Sequence, residues 1–64
     1  MIEEEEKKRV ARALEKLEWK YREVLLLFYF EDRSQEEISE ILRISNSNVK
    51  VMIYRGKEKL RRLL

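Results

Sequence analysis

Apolar residues recur along this chain with a helical period, interrupted by two short polar stretches. Val10, Leu14 and Leu17 fall at i, i+4 and i+7, which predicts an amphipathic helix over about residues 4–17. A second apolar segment runs from about Lys20 to Glu31. Tyr21, Val24, Leu25 and Phe28 share one of its faces, while Leu26, Leu27 and Phe30 fill much of the rest. A helix apolar on most sides is expected at the centre of a small bundle. No breaker separates these two segments, so they could run on as one continuous helix; if they are separate, the boundary is placed near Glu18. Ser34-Gln35-Glu36-Glu37 has the spacing of a capping box, so a third helix is predicted to start at Gln35. Its apolar face is Ile38, Ile41 and Leu42, and it is expected to end near Leu42. After a tight connection, Arg43-Ile44-Ser45, Ser45 is an N-cap for a fourth helix over Asn46–Leu63.

The fourth helix divides by face. Val49, Ile53, Gly56, Leu60 and Leu63 lie on one side, with Met52 at its edge. The other side carries Ser47, Lys50, Val51, Tyr54, Arg55, Lys57, Arg61 and Arg62. The predicted fold is therefore all-α: a single four-helix domain over residues 1–64 with a helix-turn-helix at its C-terminal end. Its expected core is one cluster of Val10, Leu14, Leu17, Tyr21, Val24, Leu25, Ile38, Leu42, Ile44, Val49, Ile53 and Leu60. The absence of Pro and the single Gly56 agree with this, because strands and tight turns need such punctuation. The 64 residues allow one small domain of marginal stability.

Composition excludes several kinds of chemistry. There is no Cys and no His, hence no disulfide and no zinc site built on those ligands. The serines have no imidazole to activate them, and no phosphate-cradling loop is visible, so an enzyme is not expected. No cofactor or small-molecule substrate is implied. The longest apolar run, Val24–Phe30, is far short of the ~20 residues that span a membrane. The start, Met1-Ile2-Glu3-Glu4-Glu5-Glu6, is acidic where a signal peptide would be basic and then apolar. A cytoplasmic protein is expected. The run Glu3–Glu6 suits the first turn of a helix through the dipole and does not converge as a metal site would.

Charge changes the picture more. Net charge is only +2, yet residues 1–42 carry 8 Lys/Arg against 12 Asp/Glu. Residues 43–64 carry 7 Lys/Arg and only Glu58. A basic end on an acidic body is the electrostatic footprint of a nucleic-acid binder, although a merely solvated charged helix gives the same composition. Gln35–Tyr54 fits a helix-turn-helix, with Ile38, Leu42, Ile44 and Val49 as shared core and small Ser39 where the helices approach. The second helix of such a unit enters the major groove. Lys50, Arg55 and Lys57 can neutralise phosphates. Asn46, Ser47 and Asn48 can bond base edges or phosphate, and an exposed Val51 can touch a thymine methyl. Tyr54 can reach a phosphate or a sugar. With Ser34 and Ser45 these residues form the candidate DNA-contacting set. Trp19, Phe28 and Tyr29 exceed the aromatic area so small a core easily buries and form a candidate partner surface. The alternative is that Phe28 completes the core.

An ordered set of residues resembles region four of bacterial sigma factors, most closely the extracytoplasmic-function group. It comprises Leu14-Glu15-Lys16-Leu17, Tyr21-Arg22-Glu23-Val24-Leu25-Leu26-Leu27 and Tyr29-Phe30-Glu31-Asp32. It continues through Ser34, Glu37-Ile38, Glu40-Ile41-Leu42, Ile44-Ser45, Val49-Lys50, Tyr54-Arg55 and Leu60-Arg61. The resemblance covers about residues 13–63. It implies reading of a promoter −35 element by the second helix of the motif, docking on the β-subunit flap of RNA polymerase, and masking by an anti-sigma factor. The departures are specific. Glu18 stands where the family often has Pro, Arg43 where it often has Gly, Arg33 where Leu is frequent, and Phe28 where a basic residue is. Val51 and Met52 stand where Ser and Arg are common, which removes polar reach from the reading face. These residues include no counterpart of the sigma region that melts the −10 element, so on their own they are not expected to start transcription. Two other readings fit the same pattern: a response-regulator output domain, which would dimerise through its last helix, and a protein-interaction module that binds polymerase or an anti-sigma factor without touching DNA.

Overall fold

The computed structural model describes residues 4–64. Their elements are α1 (Glu4–Leu14), α2 (Trp19–Leu25), a π-helical continuation of α2 (Leu26–Phe30), α3 (Gln35–Leu42) and α4 (Asn46–Leu63). Among the described residues there is no strand, and the domain is all-α, as the periodicity predicts. Glu4, Glu5 and Glu6 occupy the first turn of α1, where their charge suits the helix dipole. Glu3, expected beside them, lies outside the described residues.

α1 ends a turn earlier than predicted. The Lys16 and Leu17 N–H groups bond the carbonyls three residues back, at Ala13 and Leu14, which tightens the chain out of the helix. Leu17 is nonetheless buried, in one cluster with Ala13, Leu14, Tyr21, Leu25 and Leu60. The early exit thus turns Leu17 inward and redirects α2. Glu18 then takes an extended backbone, φ −59° and ψ 143°, and its carbonyl accepts from the N–H groups of Tyr21 and Arg22. The separation of the first two helices at Glu18 needs neither Pro nor Gly.

The π-helical stretch has no counterpart in the sequence reading. The Glu31 N–H reaches the Leu26 carbonyl, five residues back, and the Arg33 N–H reaches Leu27. The widened turn lets adjacent apolar side chains serve two groups. Leu26, Tyr29 and Phe30 pack on the cluster around Leu25, while Leu27 and Phe28 pack on a second cluster of Val24, Ile38, Val49 and Ile53. The single core expected from the pattern is therefore two clusters, and Met52 packs against both. Val10, Leu42 and Ile44 belong to their margins rather than their centres. Two further expectations are corrected. Ile41 is 52% exposed and Leu63 41% exposed, because each lies on the rim of its helix's apolar stripe with no facing element over it.

α4 packs tightly against α2 at Gly56. A Cβ there would stand 3.1 Å from the Cδ1 of the fully buried Leu25, so the lone glycine marks a close approach within a helix.

Candidate nucleic-acid interface

The helix pair α3–α4 is built by its caps. Ser34 Oγ accepts from the Glu37 N–H at 3.1 Å, and Glu37 Oε1 accepts from the Ser34 N–H at 2.9 Å, which completes the capping box. The Glu37 carboxyl is held below the ordinary glutamate range, mainly by the Ser34 backbone N–H. Desolvation opposes this, while the Ser34 hydroxyl and the Arg33 guanidinium, each a smaller effect, reinforce it. Arg43 ends α3 in the left-handed region, φ 58° and ψ 45°, the backbone a glycine takes most readily. Asp32, before α3, is also left-handed at φ 52°. The Ile44 N–H bonds the Ser39 carbonyl at 3.1 Å, and the Ser39 hydroxyl donates to the Ile44 carbonyl. Ser39 is thus small for packing and also a tie across the turn. Ser45 Oγ accepts from the Asn48 N–H at 3.1 Å and starts α4. Val49, beneath this first turn, is fully buried against Ile38, which sets the angle at which α4 leaves the body.

All ten candidate DNA-contacting residues are exposed. The structure gathers some of them more closely than others. Ser47, Lys50, Val51, Tyr54 and Arg55 surround a hollow of about 510 Å³ on the outer face of α4. Asn46, Ser47 and Lys50 border a smaller one of about 130 Å³ together with Gln35, the first residue of α3. Gln35 was absent from the sequence-derived set. Its place inside the capping box reads as a spacer, and only the folded turn brings it beside Asn46. Asn48 lines neither hollow. Ser34 and Ser45 already accept cap bonds, and their hydroxyl protons remain free to donate outward. Lys57 stands 5.7 Å from the Phe28 ring centre and 5.8 Å from that of Tyr29, so it leans toward the π-helical segment.

The three candidate partner residues do not form one surface. Trp19 is 68% exposed and lines a groove of about 120 Å³ with Lys20, Glu23, Leu42, Ile44 and Met52. Phe28 and Tyr29 are half-buried and meet edge to face, with ring centres 5.0 Å apart, beside Lys57. Among the described residues, no group of His, Cys, Asp or Glu is placed to hold a metal ion, and no helix is long and apolar enough to cross a membrane.

Two capped helices joined through Arg43–Ser45, the second presenting an exposed, basic outer face over a buried inner one, define a helix-turn-helix domain. Residues 7–60 match the family Sigma-70, region 4, and the chain belongs to that family. It is 44% identical over 55 residues to RNA polymerase sigma factor SigZ of Bacillus subtilis (strain 168), a match covering 86% of this chain and 31% of the relative. It is 49% identical over 49 residues to ECF RNA polymerase sigma factor SigW of the same organism, covering 77% of this chain and 26% of the relative. The chain thus spans less than a third of the length of either relative. No solved structure matches it.

Proposed function

We propose that this domain recognises promoter DNA, reading a −35 element through the outer face of α4 while a second surface docks on the β-subunit flap of RNA polymerase. The observation that carries this reading is the first three turns of α4. They present Ser47, Lys50, Val51, Tyr54 and Arg55 together around one hollow, while Val49 and Ile53 anchor the same helix from behind. In a helix-turn-helix the N-terminal part of the second helix faces base edges, and flanking cations hold the backbone. The names of the two relatives, both RNA polymerase sigma factors, support it.

Isolated binding to DNA is expected to be weak, in the ~10⁻⁴–10⁻⁶ M range typical of non-specific binders. One helix supplies few phosphate contacts, and residues 1–42 carry an excess of carboxylates that phosphate repels. Tethering by a polymerase partner makes the second contact intramolecular and so makes a weak reader effective. The groove beside Trp19 is the preferred docking surface, because the exposed Trp19 ring borders a recess that Leu42, Ile44 and Met52 also line. An anti-sigma factor would compete for this surface or for α4.

The reading is tested by titrating the chain in parallel with a −35 duplex and with a β-flap peptide. Both are expected to bind, and Trp19→Ala is expected to weaken the peptide alone and leave the fold intact. Peptide binding without any duplex binding would make the chain a protein-interaction module instead.

A further inference from the structure

The centre of the α4 outer face is apolar where its surroundings are cationic. Val51 is 43% exposed and Tyr54 70% exposed, and both border the same hollow as Ser47, Lys50 and Arg55. Lys50 and Tyr54 are four residues apart, as are Val51 and Arg55, so the two pairs form adjacent rows along the helix. Val51 lies between the two cations, within the second turn from Ser45. A branched alkyl group has no use against a phosphate. The major groove offers one apolar group, the 5-methyl of thymine. None of the five side chains around the hollow is a carboxylate, which is the acceptor that would select the amino group of cytosine.

We propose that Val51, with the Tyr54 ring beside it, is a specificity-determining contact for a thymine methyl, while Lys50 and Arg55 seat on phosphates to either side. The proposal rests on the DNA-reading function above and narrows it. The polar reach lost at this position is then a change in what is read, from hydrogen-bond donors and acceptors to a methyl group.

The 64-residue chain is first used to select duplexes from a double-stranded library with a randomised core. The selected duplex is then remade with each thymine replaced in turn by uracil, which lacks only the methyl. One replacement is expected to weaken binding about fourfold, the value of burying one methyl group. Val51→Ser, an exposed change expected to leave the melting temperature alone, should weaken binding to the thymine duplex and cause no further loss on the uracil duplex. Its salt dependence should match the wild type, because no phosphate contact is removed. Equal binding of every uracil duplex, or an equal loss by Val51→Ser on both duplexes, would overturn the thymine contact and leave DNA reading in place. Binding without any sequence selection would likewise overturn the thymine contact, and no binding to any duplex even at ~10⁻³ M chain, above the weak range expected of the isolated domain, would remove the DNA-reading function itself.

Discussion

Ile38 and Leu42 lie four residues apart on one face of α3, yet they differ in depth. Ile38 is fully buried between Val24, Val49 and Ile53, whereas Leu42 only borders that cluster and lines the groove beside Trp19. Ile38→Ala is therefore expected to cost about 2–5 kcal/mol, enough to unfold so small a domain, and Leu42→Ala distinctly less. Denaturant melts of the two variants check the order, and a larger loss from Leu42→Ala would contradict it. Arg43 presents the opposite case, a residue whose backbone works against its side chain. Its left-handed conformation costs a non-glycine residue about 1–2 kcal/mol, and glycine gives back part of that gain through its freer unfolded chain. Arg43→Gly should raise the melting temperature by an amount equivalent to roughly 0.5–1 kcal/mol. A fall in melting temperature would show that the Arg43 side chain contributes more than its backbone costs.

Within α3, the first turn is held by reciprocal bonds between Ser34 and Glu37. Ser34→Ala should destabilise the domain by about 1 kcal/mol. The charge on Glu37 also makes this cap pH-dependent. Because its folded-state value lies below the ordinary glutamate value, the contribution is complete above that ordinary value. It is lost as the pH falls through the lower folded-state value. Glu37→Gln keeps an oxygen that can accept from the Ser34 N–H but cannot titrate. Melting curves across the acid range should thus show a shallower loss of stability for Glu37→Gln than for the wild type, and equal slopes would exclude this linkage. The Arg33–Glu37 pair, at 3.5 Å with both side chains about half exposed, adds little. The cap and the Ser45 cap of α4 were both legible in the sequence because each depends on residues three apart. The π-helical segment was not. Its bonds run five residues back, and a run of seven apolar residues carries no period by which to tell such a turn from an ordinary one.

For the molecule as a whole, charge is only partly segregated: Lys50 and Arg55 stand on the outer face of α4, Lys57 and Lys59 lean back toward the Phe28, Tyr29 and Tyr21 rings, and the acidic residues lie almost entirely outside α4. Lys50→Ala and Arg55→Ala should each weaken binding to every duplex. Each should also flatten the dependence of log K on log salt by roughly one unit for a lost phosphate contact. Affinity measured over a salt series separates this from a base contact, which would change sequence preference and leave the slope. Unchanged slopes in both variants would take these residues off the phosphate backbone. The Trp19 groove and the α4 hollow have no lining residue in common, so the two proposed contacts do not compete for the same side chains.

The sequence by itself determined the helical class, the position of both caps, the helix-turn-helix spacing and the basic outer face of α4. Each of these depends on residues within a turn or two of one another, where periodicity and capping chemistry act. Only the tertiary structure decided the rest. It divided the core into two clusters meeting at Met52 and left Ile41 and Leu63 outside. It drew Phe28 and Tyr29 away from Trp19 and brought Gln35 beside Asn46. These outcomes depend on which helix faces which, and that is set by the exit at Glu18, the widened turn at Leu26–Phe30 and the close approach at Gly56. Periodicity places a residue on a face of its own helix, but burial depends on what packs against that face.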